Sequence, residues 1–264
     1  NFTYYRPLLI NNKKKFKFIG ILHEFLDSSE TNLTSTNLNG DYYIDSGRNG
    51  NRNKDPNKYL NDSIKLEKAY NDISESDKGL AKRYAFYCAQ SYKDAGITDK
   101  AIEWYEKCLT LNNWNQEKYY SCLMLSDLYK KKNDSYSSLK FAIKSSQYDN
   151  NRIEGIVKAC EQCMHDGLHS IVYGLYQQYK DVKLPDNRLF LFYNLYEDHL
   201  LYYASISSYY IGKIDFSYQS SKILLTNNKI DSIKKINILK NLIFLKKEIL
   251  NDDNNELFNK LSSI

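Results

Sequence analysis

The feature of this sequence that most constrains its fold is a pattern of small and large residues that recurs along the chain. In a segment that begins at Lys82, small residues and tyrosines follow one another at helical spacing around a glycine: Ala89, Tyr92, Gly96, Ala101, Tyr105 and Cys108. The same pattern of small and large residues recurs 37 positions later, at Ser126, Tyr129, Asn133, Ser138, Ala142 and Ser145. The pattern predicts paired helices joined by short turns, with two more divergent helical hairpins around Gly167 and Gly212.

These units resemble tetratricopeptide repeats, which are helix-turn-helix units of about 34 residues whose small residues let paired helices approach. The resemblance implies a mostly α fold, a tetratricopeptide-like helical-repeat solenoid, over residues 56–264. Asp55 is a suitable N-cap and Pro56 a suitable first residue for its first helix. The clearest break within the helical region is 184–187, which contains Pro185.

The residues that precede the helical region show the two-residue alternation of a β-strand instead of a helical period. Residues 15–22 alternate lysine with phenylalanine and then become apolar, which is typical of a strand that enters a buried sheet. Residues 27–40 are polar and predict a loop, and residues 42–44 predict a brief return as a strand. We therefore expect a short α/β segment over residues 1–55, separate from the helical domain over 56–264.

Chemically useful side chains follow the predicted strand. His23 and Glu24 come at its end, and Arg48, Arg52 and Lys54 lie in a glycine-rich loop. A ring nitrogen, a carboxylate and several cations are the groups that a site for a metal-bound diphosphate would use. The glycines would let backbone amides and guanidinium groups wrap an anion. The alternatives are a structural histidine beside a solvated glutamate, and a basic linker that is only solvated.

A second candidate site has the residue types of a zinc centre. Cys160 and Cys163 form a C-x2-C pair, and His165 and His169 form an H-x3-H pair. On one helix, at about 100° per residue, the two pairs project in different directions. Cysteines packed beside a turn between helices are therefore the competing interpretation. The 25 tyrosines have two interpretations as well, a platform for sugars or a peptide, and packing between helices.

Composition limits the classes of partner. A net charge of +5 is too small to indicate a nucleic-acid-binding protein. No apolar run reaches the roughly 18 residues that a membrane-spanning helix needs. The five cysteines are an odd number and fall mostly within apolar helical patterns, which favours a reducing, cytoplasmic compartment. We expect no nucleic-acid partner and no membrane span.

Three segments together, FIGILHEFL, YIDSGRNGNRNKDPNKYLND and RYAFYCAQSYKDAGITDKAIEWYEKCL, resemble the C-terminal half of family-2 glycosyltransferases that carry tetratricopeptide repeats. The resemblance implies that residues 1–55 are the edge of a GT-A catalytic domain with its active-site loop. It places His23 by a divalent metal, Mn²⁺ or Mg²⁺, and the donor diphosphate. It places Glu24, the candidate catalytic residue, on the acceptor or donor side. Phe18 stands where the family has tryptophan.

The family's nucleotide-binding half, with its D-x-D metal motif, has no counterpart in these 264 residues. We therefore expect the C-terminal part of a metal-dependent glycosyltransferase that is inactive by itself. Its expected partners are a nucleotide-sugar donor, a glycan or protein acceptor, and a protein on the concave face of the repeats. The alternative is a non-enzymatic helical-repeat module that binds a peptide or protein. The two hypotheses differ in whether a strand-rich domain with a D-x-D motif precedes the chain.

Overall fold

The computed structural model describes residues 7–41, 44, 50–73, 77–186, 188–228 and 230–249. These residues form a two-stranded sheet followed by ten α-helices, so the predicted mostly α fold is confirmed. Two compact units divide the chain, Asn1–Leu128 and Tyr129–Ile264. The predicted domain boundary after residue 55 stays a prediction.

The two strands form one antiparallel hairpin. Strand β1 is Lys17–Ile19 and strand β2 is Phe25–Asp27, and Phe18 lies opposite Leu26. The strand predicted over 15–22 is therefore present but shorter, and its expected burial is wrong, because Lys17 and Phe18 are exposed. The strand predicted over 42–44 falls mainly on residues 42 and 43, which lie outside the described residues.

Each helix is bounded as follows: α1 Lys58–Asn71, α2 Lys78–Asp94, α3 Thr98–Thr110, α4 Asn115–Lys131, α5 Ser135–Lys144, α6 Glu154–His165, α7 His169–Tyr179, α8 His199–Tyr210, α9 Ile214–Thr226 and α10 Ser232–Ile249. Helix α1 begins two residues after the predicted position. The Asp55 carboxylate accepts a hydrogen bond from the Asn57 amide at 2.9 Å, so it satisfies a donor in the turn ahead of the helix. The predicted break at 184–187 lies in the connection between α7 and α8.

The four predicted hairpin turns share one backbone geometry. Their turn residues adopt left-handed conformations, with φ values between +59° and +76°: Gly96, Asn133, Gly167 and Gly212. In each turn the following amide donates to the carbonyl five residues earlier, as Ile97 does to Tyr92 at 2.9 Å and Leu168 does to Cys163 at 2.8 Å. This bond defines a Schellman C-cap, which ends one helix and redirects the chain into the next. Helices α2 and α3, α6 and α7, and α8 and α9 also pack on each other across their turns, so these three predicted helical hairpins are present. Membership of the tetratricopeptide family stays a prediction.

In the first unit, α1 packs on α2 and α2 packs on α3. Its largest fully buried side chains are aromatic and aliphatic residues, among them Leu66, Phe86, Trp104, Tyr105 and Tyr119. Small Ala85 and Ala89 are completely buried on α2, which lets its neighbours approach closely. This core fixes the helix against which the hairpin lies.

In the second unit, α5 to α10 pack each on the next. A fully buried ion pair, Arg152 with Glu154 at 2.7 Å, lies at the start of α6. Arg152 also donates to the Leu189 carbonyl at 2.9 Å, and Glu154 accepts from the Tyr196 hydroxyl at 2.8 Å. The pair thereby ties the connection between α7 and α8 to the helices.

Across the described ranges, every helix is either too short or too polar to cross a lipid bilayer.

Candidate functional site

His23 and Glu24 lie in the loop that joins β1 to β2, rather than at the end of a strand as predicted, and both are exposed. The loop contains two left-handed residues, Gly20 with φ of +113° and His23 with φ of +54°. Glycine adopts such conformations without strain, but a histidine does so only when its surroundings hold it there. The loop therefore owes its shape to contacts as well as to its own sequence.

Helix α2 supplies those contacts. The guanidinium of Arg83 donates two hydrogen bonds to the backbone carbonyl of His23, from Nη2 at 2.7 Å and from Nε at 3.1 Å. The amide of Ile21 donates to the Tyr84 hydroxyl at 3.2 Å. The imidazole of His23 stacks on the Tyr87 ring, with centroids 4.0 Å apart and planes 8° from parallel. Three residues of one helix thus hold the loop, while Leu22 anchors it as a buried side chain.

Arg83 is itself held between aromatic rings. Its guanidinium carbon lies 5.1 Å from the centroid of the Phe25 ring and 4.8 Å from that of Tyr87. These are distances at which a cation is attracted to the face of an aromatic ring. The arginine is therefore fixed both to the hairpin, through Phe25 and His23, and to its own helix.

The half-buried carboxylate of Glu117 on α4 interacts electrostatically with Arg83. Burial raises the pKa of Glu117, and a hydrogen bond from Asn113 and the positive charge of Arg83 oppose that rise. The Asn113 amide nitrogen lies 3.0 Å from the Glu117 carboxylate. Glu117 on α4 therefore lies close enough to Arg83 for the two charges to interact.

A shallow cleft of about 270 Å³ opens between the hairpin and the start of α2. Apolar Ile19, Phe25 and Leu80 line it together with the acidic Asp27 and Asp77. Its volume is close to the lower end of the range for small-molecule sites.

The predicted anion-binding loop is described only in part. Arg48 lies outside the described residues, as does the side chain of Arg52. Lys54 is exposed and ends a short 3-10 turn, Asn51–Lys54, ahead of α1. The expected approach of these cations to His23 and Glu24 stays a prediction.

The described residues do not by themselves make a metal site. Among them no three histidine, cysteine or acidic side chains are placed to hold one ion. Mg²⁺ and Mn²⁺ need several oxygen ligands, so His23 would be at most one ligand among others supplied from elsewhere.

The cysteines and histidines of the zinc alternative have separate surroundings. Cys160 and Cys163 are buried in a core with Ile156, Val172 and Leu200, among others. His165 pairs with Asp166 at 2.9 Å, and His169 stacks on Tyr210 with centroids 4.1 Å apart. The structure thus favours packed cysteines beside an inter-helix turn.

Sequence reasoning missed Arg83, Tyr84 and Tyr87, although they lie in a segment that it used. It assigned that segment to the helical repeat alone. The available signal was an arginine and a tyrosine four residues apart, which lie on one face of a helix. That spacing could not reveal a contact with a residue 60 positions earlier.

Comparison with protein-family models found no family that matches this chain, and comparison with curated proteins found no significant match.

Proposed function

We propose that this chain is the C-terminal part of a metal-dependent family-2 glycosyltransferase. Its hairpin loop would face the diphosphate of a nucleotide-sugar donor, and its helical hairpins would position a glycan or protein acceptor or a protein partner. The proposal starts from the sequence resemblance around FIGILHEFL and from the conformation of that segment.

The observation that carries the proposal is the held and exposed loop with His23 and Glu24. A left-handed histidine is strained, and such residues persist where the surrounding structure holds them, often at functional sites. Here His23 and the adjacent Glu24 are exposed, while the imidazole of His23 stacks on the Tyr87 ring.

The surface of the hairpin supports the same proposal. Phe18 is 73% exposed, Ile21 47% and Phe25 38%. A two-stranded hairpin is marginally stable alone. The register places Phe18, the most exposed of the three, on the face of the hairpin opposite to Phe25. Both features favour a hairpin that is covered by further β-structure in the intact enzyme, as the edge of a GT-A domain would be.

In this proposal the protein groups have distinct roles. Arg48, Arg52 and Lys54 would neutralise the charge that develops on the leaving diphosphate. His23 would lie beside the diphosphate, and Glu24 would face the acceptor or donor sugar. The remaining ligands of a divalent ion would come from the upstream half.

The test uses the protein translated from the complete gene that contains this chain. Release of nucleoside diphosphate is measured with a panel of nucleotide sugars and Mn²⁺. We expect His23→Ala and Glu24→Gln each to lower turnover by roughly 100-fold or more. His165→Ala is the matched control, because His165 is also an exposed histidine with an acidic neighbour. Full turnover in both loop variants would remove these residues from the site.

The second candidate is a non-enzymatic module that binds a peptide or protein. The helical hairpins α2–α3, α6–α7 and α8–α9, which share one turn geometry, favour it, because stacked hairpins commonly present binding surfaces. It would replace the first proposal if the complete gene encoded no nucleotide-binding domain and its product released no nucleoside diphosphate.

A further inference from the structure

The geometry points to Arg83 as a positioning residue for the His23–Glu24 loop, so that helix α2 sets the shape of the site. This inference rests on the proposed function for its meaning in catalysis. Its structural content, that Arg83 holds the loop, can be tested separately.

The argument begins with the atom that Arg83 binds. The carbonyl oxygen of His23 belongs to the peptide plane that joins His23 to Glu24. Two hydrogen bonds from one guanidinium, at 2.7 and 3.1 Å, fix the orientation of that plane. Because the plane sets ψ of His23 and φ of Glu24, it sets the directions in which both side chains leave the backbone.

The second step concerns the imidazole plane. Tyr87 stacks on the His23 ring and also lies beneath the Arg83 guanidinium. One tyrosine therefore contacts both the side chain that is positioned and the side chain that positions it. Fixing the backbone through Arg83 and the ring plane through Tyr87 leaves His23 few rotamers.

The third step is that Arg83 cannot be replaced by charge alone. A lysine at this position would retain the cation beside Phe25 and Tyr87 but would lose the planar fork that binds one carbonyl twice. We therefore expect a graded series in which Arg83→Lys retains part of the loop geometry and Arg83→Ala loses it.

The first experiment is histidine NMR on this chain, which contains four histidines. Stacking on Tyr87 should move the His23 ring protons upfield. Arg83→Ala should shift them toward the values of an exposed histidine, and Arg83→Lys should give an intermediate shift. His169, stacked on Tyr210 in the second unit, is an internal control whose signals should not move.

The matched variant is Arg188→Ala, which removes an arginine that pairs with Asp149 in the second unit. It should leave the His23 signals unchanged. Unchanged His23 signals in Arg83→Ala would overturn the inference, whatever the activity of the protein.

The second experiment asks whether the positioning matters for transfer in the complete enzyme. We expect Arg83→Ala to lower kcat by on the order of 100-fold, because small displacements of catalytic groups have effects of that size. Added guanidinium ion should restore part of the rate, which it would not do for a variant that had merely lost its fold. A normal kcat beside altered His23 signals would reject the catalytic role of the positioning. A wild-type enzyme without transfer activity would reject the proposed function, while the NMR result would still decide whether Arg83 holds the loop.

Discussion

Replacing Gly155 by alanine should force α5 and α6 apart. A Cβ atom at position 155 would lie 1.9 Å from the Ser145 hydroxyl oxygen and 2.5 Å from the Ala142 carbonyl oxygen. The hydroxyl donates to that same carbonyl at 2.7 Å, so rotating it away would break a buried hydrogen bond. The carbonyl belongs to the backbone of α5, and it can retreat only if the helix moves.

The magnitude follows from three opposing contributions. Gly155 is the second residue of α6, where alanine gains at most the roughly 1 kcal/mol that it has over glycine in a helix interior. Loss of the Ser145 hydrogen bond costs about 1 kcal/mol, which cancels that gain. Overpacking of a tight contact costs roughly 1–3 kcal/mol. We therefore expect Gly155→Ala to lower the free energy of unfolding of the second unit by about 1–3 kcal/mol.

Urea unfolding followed by circular dichroism measures this change, and Gly174→Ala is its control. Gly174 lies in the middle of α7, and a Cβ atom there would have no neighbour within 4 Å. That variant should gain up to about 1 kcal/mol from helix propensity alone. Adding Ser145→Ala to Gly155→Ala should recover only part of the loss, since the Ala142 carbonyl remains in the way. A Gly155→Ala protein at least as stable as wild type would refute the argument.

Two further predictions concern buried charges of the second unit. Arg152→Ala should destabilise it by about 3–5 kcal/mol in the same urea assay, because the fully buried Glu154 would lose its ionic partner; a loss below about 1 kcal/mol would contradict this. Burial and the adjacent Lys234 lower the pKa of His199 from its ordinary 6.5, while Asp198 opposes this. The unfolded chain then binds a proton at this histidine more readily than the folded protein, so the free energy of unfolding should fall as the pH drops below about 6.5. The Tm of His199→Gln should therefore depend less on pH in that range than the Tm of the wild type. Parallel profiles of Tm against pH for the two proteins would contradict this prediction.

The local features of the fold were predictable because their causes are local. A glycine or asparagine that comes after a helical pattern favours a left-handed C-cap. Such caps are present at Gly96, Asn133, Gly167 and Gly212. The break around Pro185 has the same kind of origin, since proline restricts itself and the residue before it.

The placement of the candidate site was less predictable because its causes are distant in sequence. Alternation of lysine and phenylalanine indicates a strand, but it does not show whether other parts of the chain cover the apolar face. Phe18 is accordingly exposed where burial was expected. The contact between Arg83 and His23 joins two segments whose patterns, strand and helix, were interpreted independently.

A comparison between the two units shows which part of the loop geometry points to function. Among the described residues with positive φ, His23 and Phe190 are the ones that are neither glycine nor asparagine. Histidine, like asparagine, is found in that conformation more often than most residues, and a phenylalanine there is an outlier. In both cases an arginine donates to the carbonyl of the strained residue, Arg83 to His23 and Arg152 to Phe190. A hydrogen bond from an arginine to a backbone carbonyl therefore stabilises both loops. The loop that contains Phe190 belongs to the connection between α7 and α8. The two loops differ in their side chains. The first loop exposes a histidine and a glutamate, whereas Phe190 is a partly buried apolar residue. Strain held by an arginine thus accounts for the shape of both loops, and the exposed ionisable pair His23 and Glu24 is what makes the first one a candidate site.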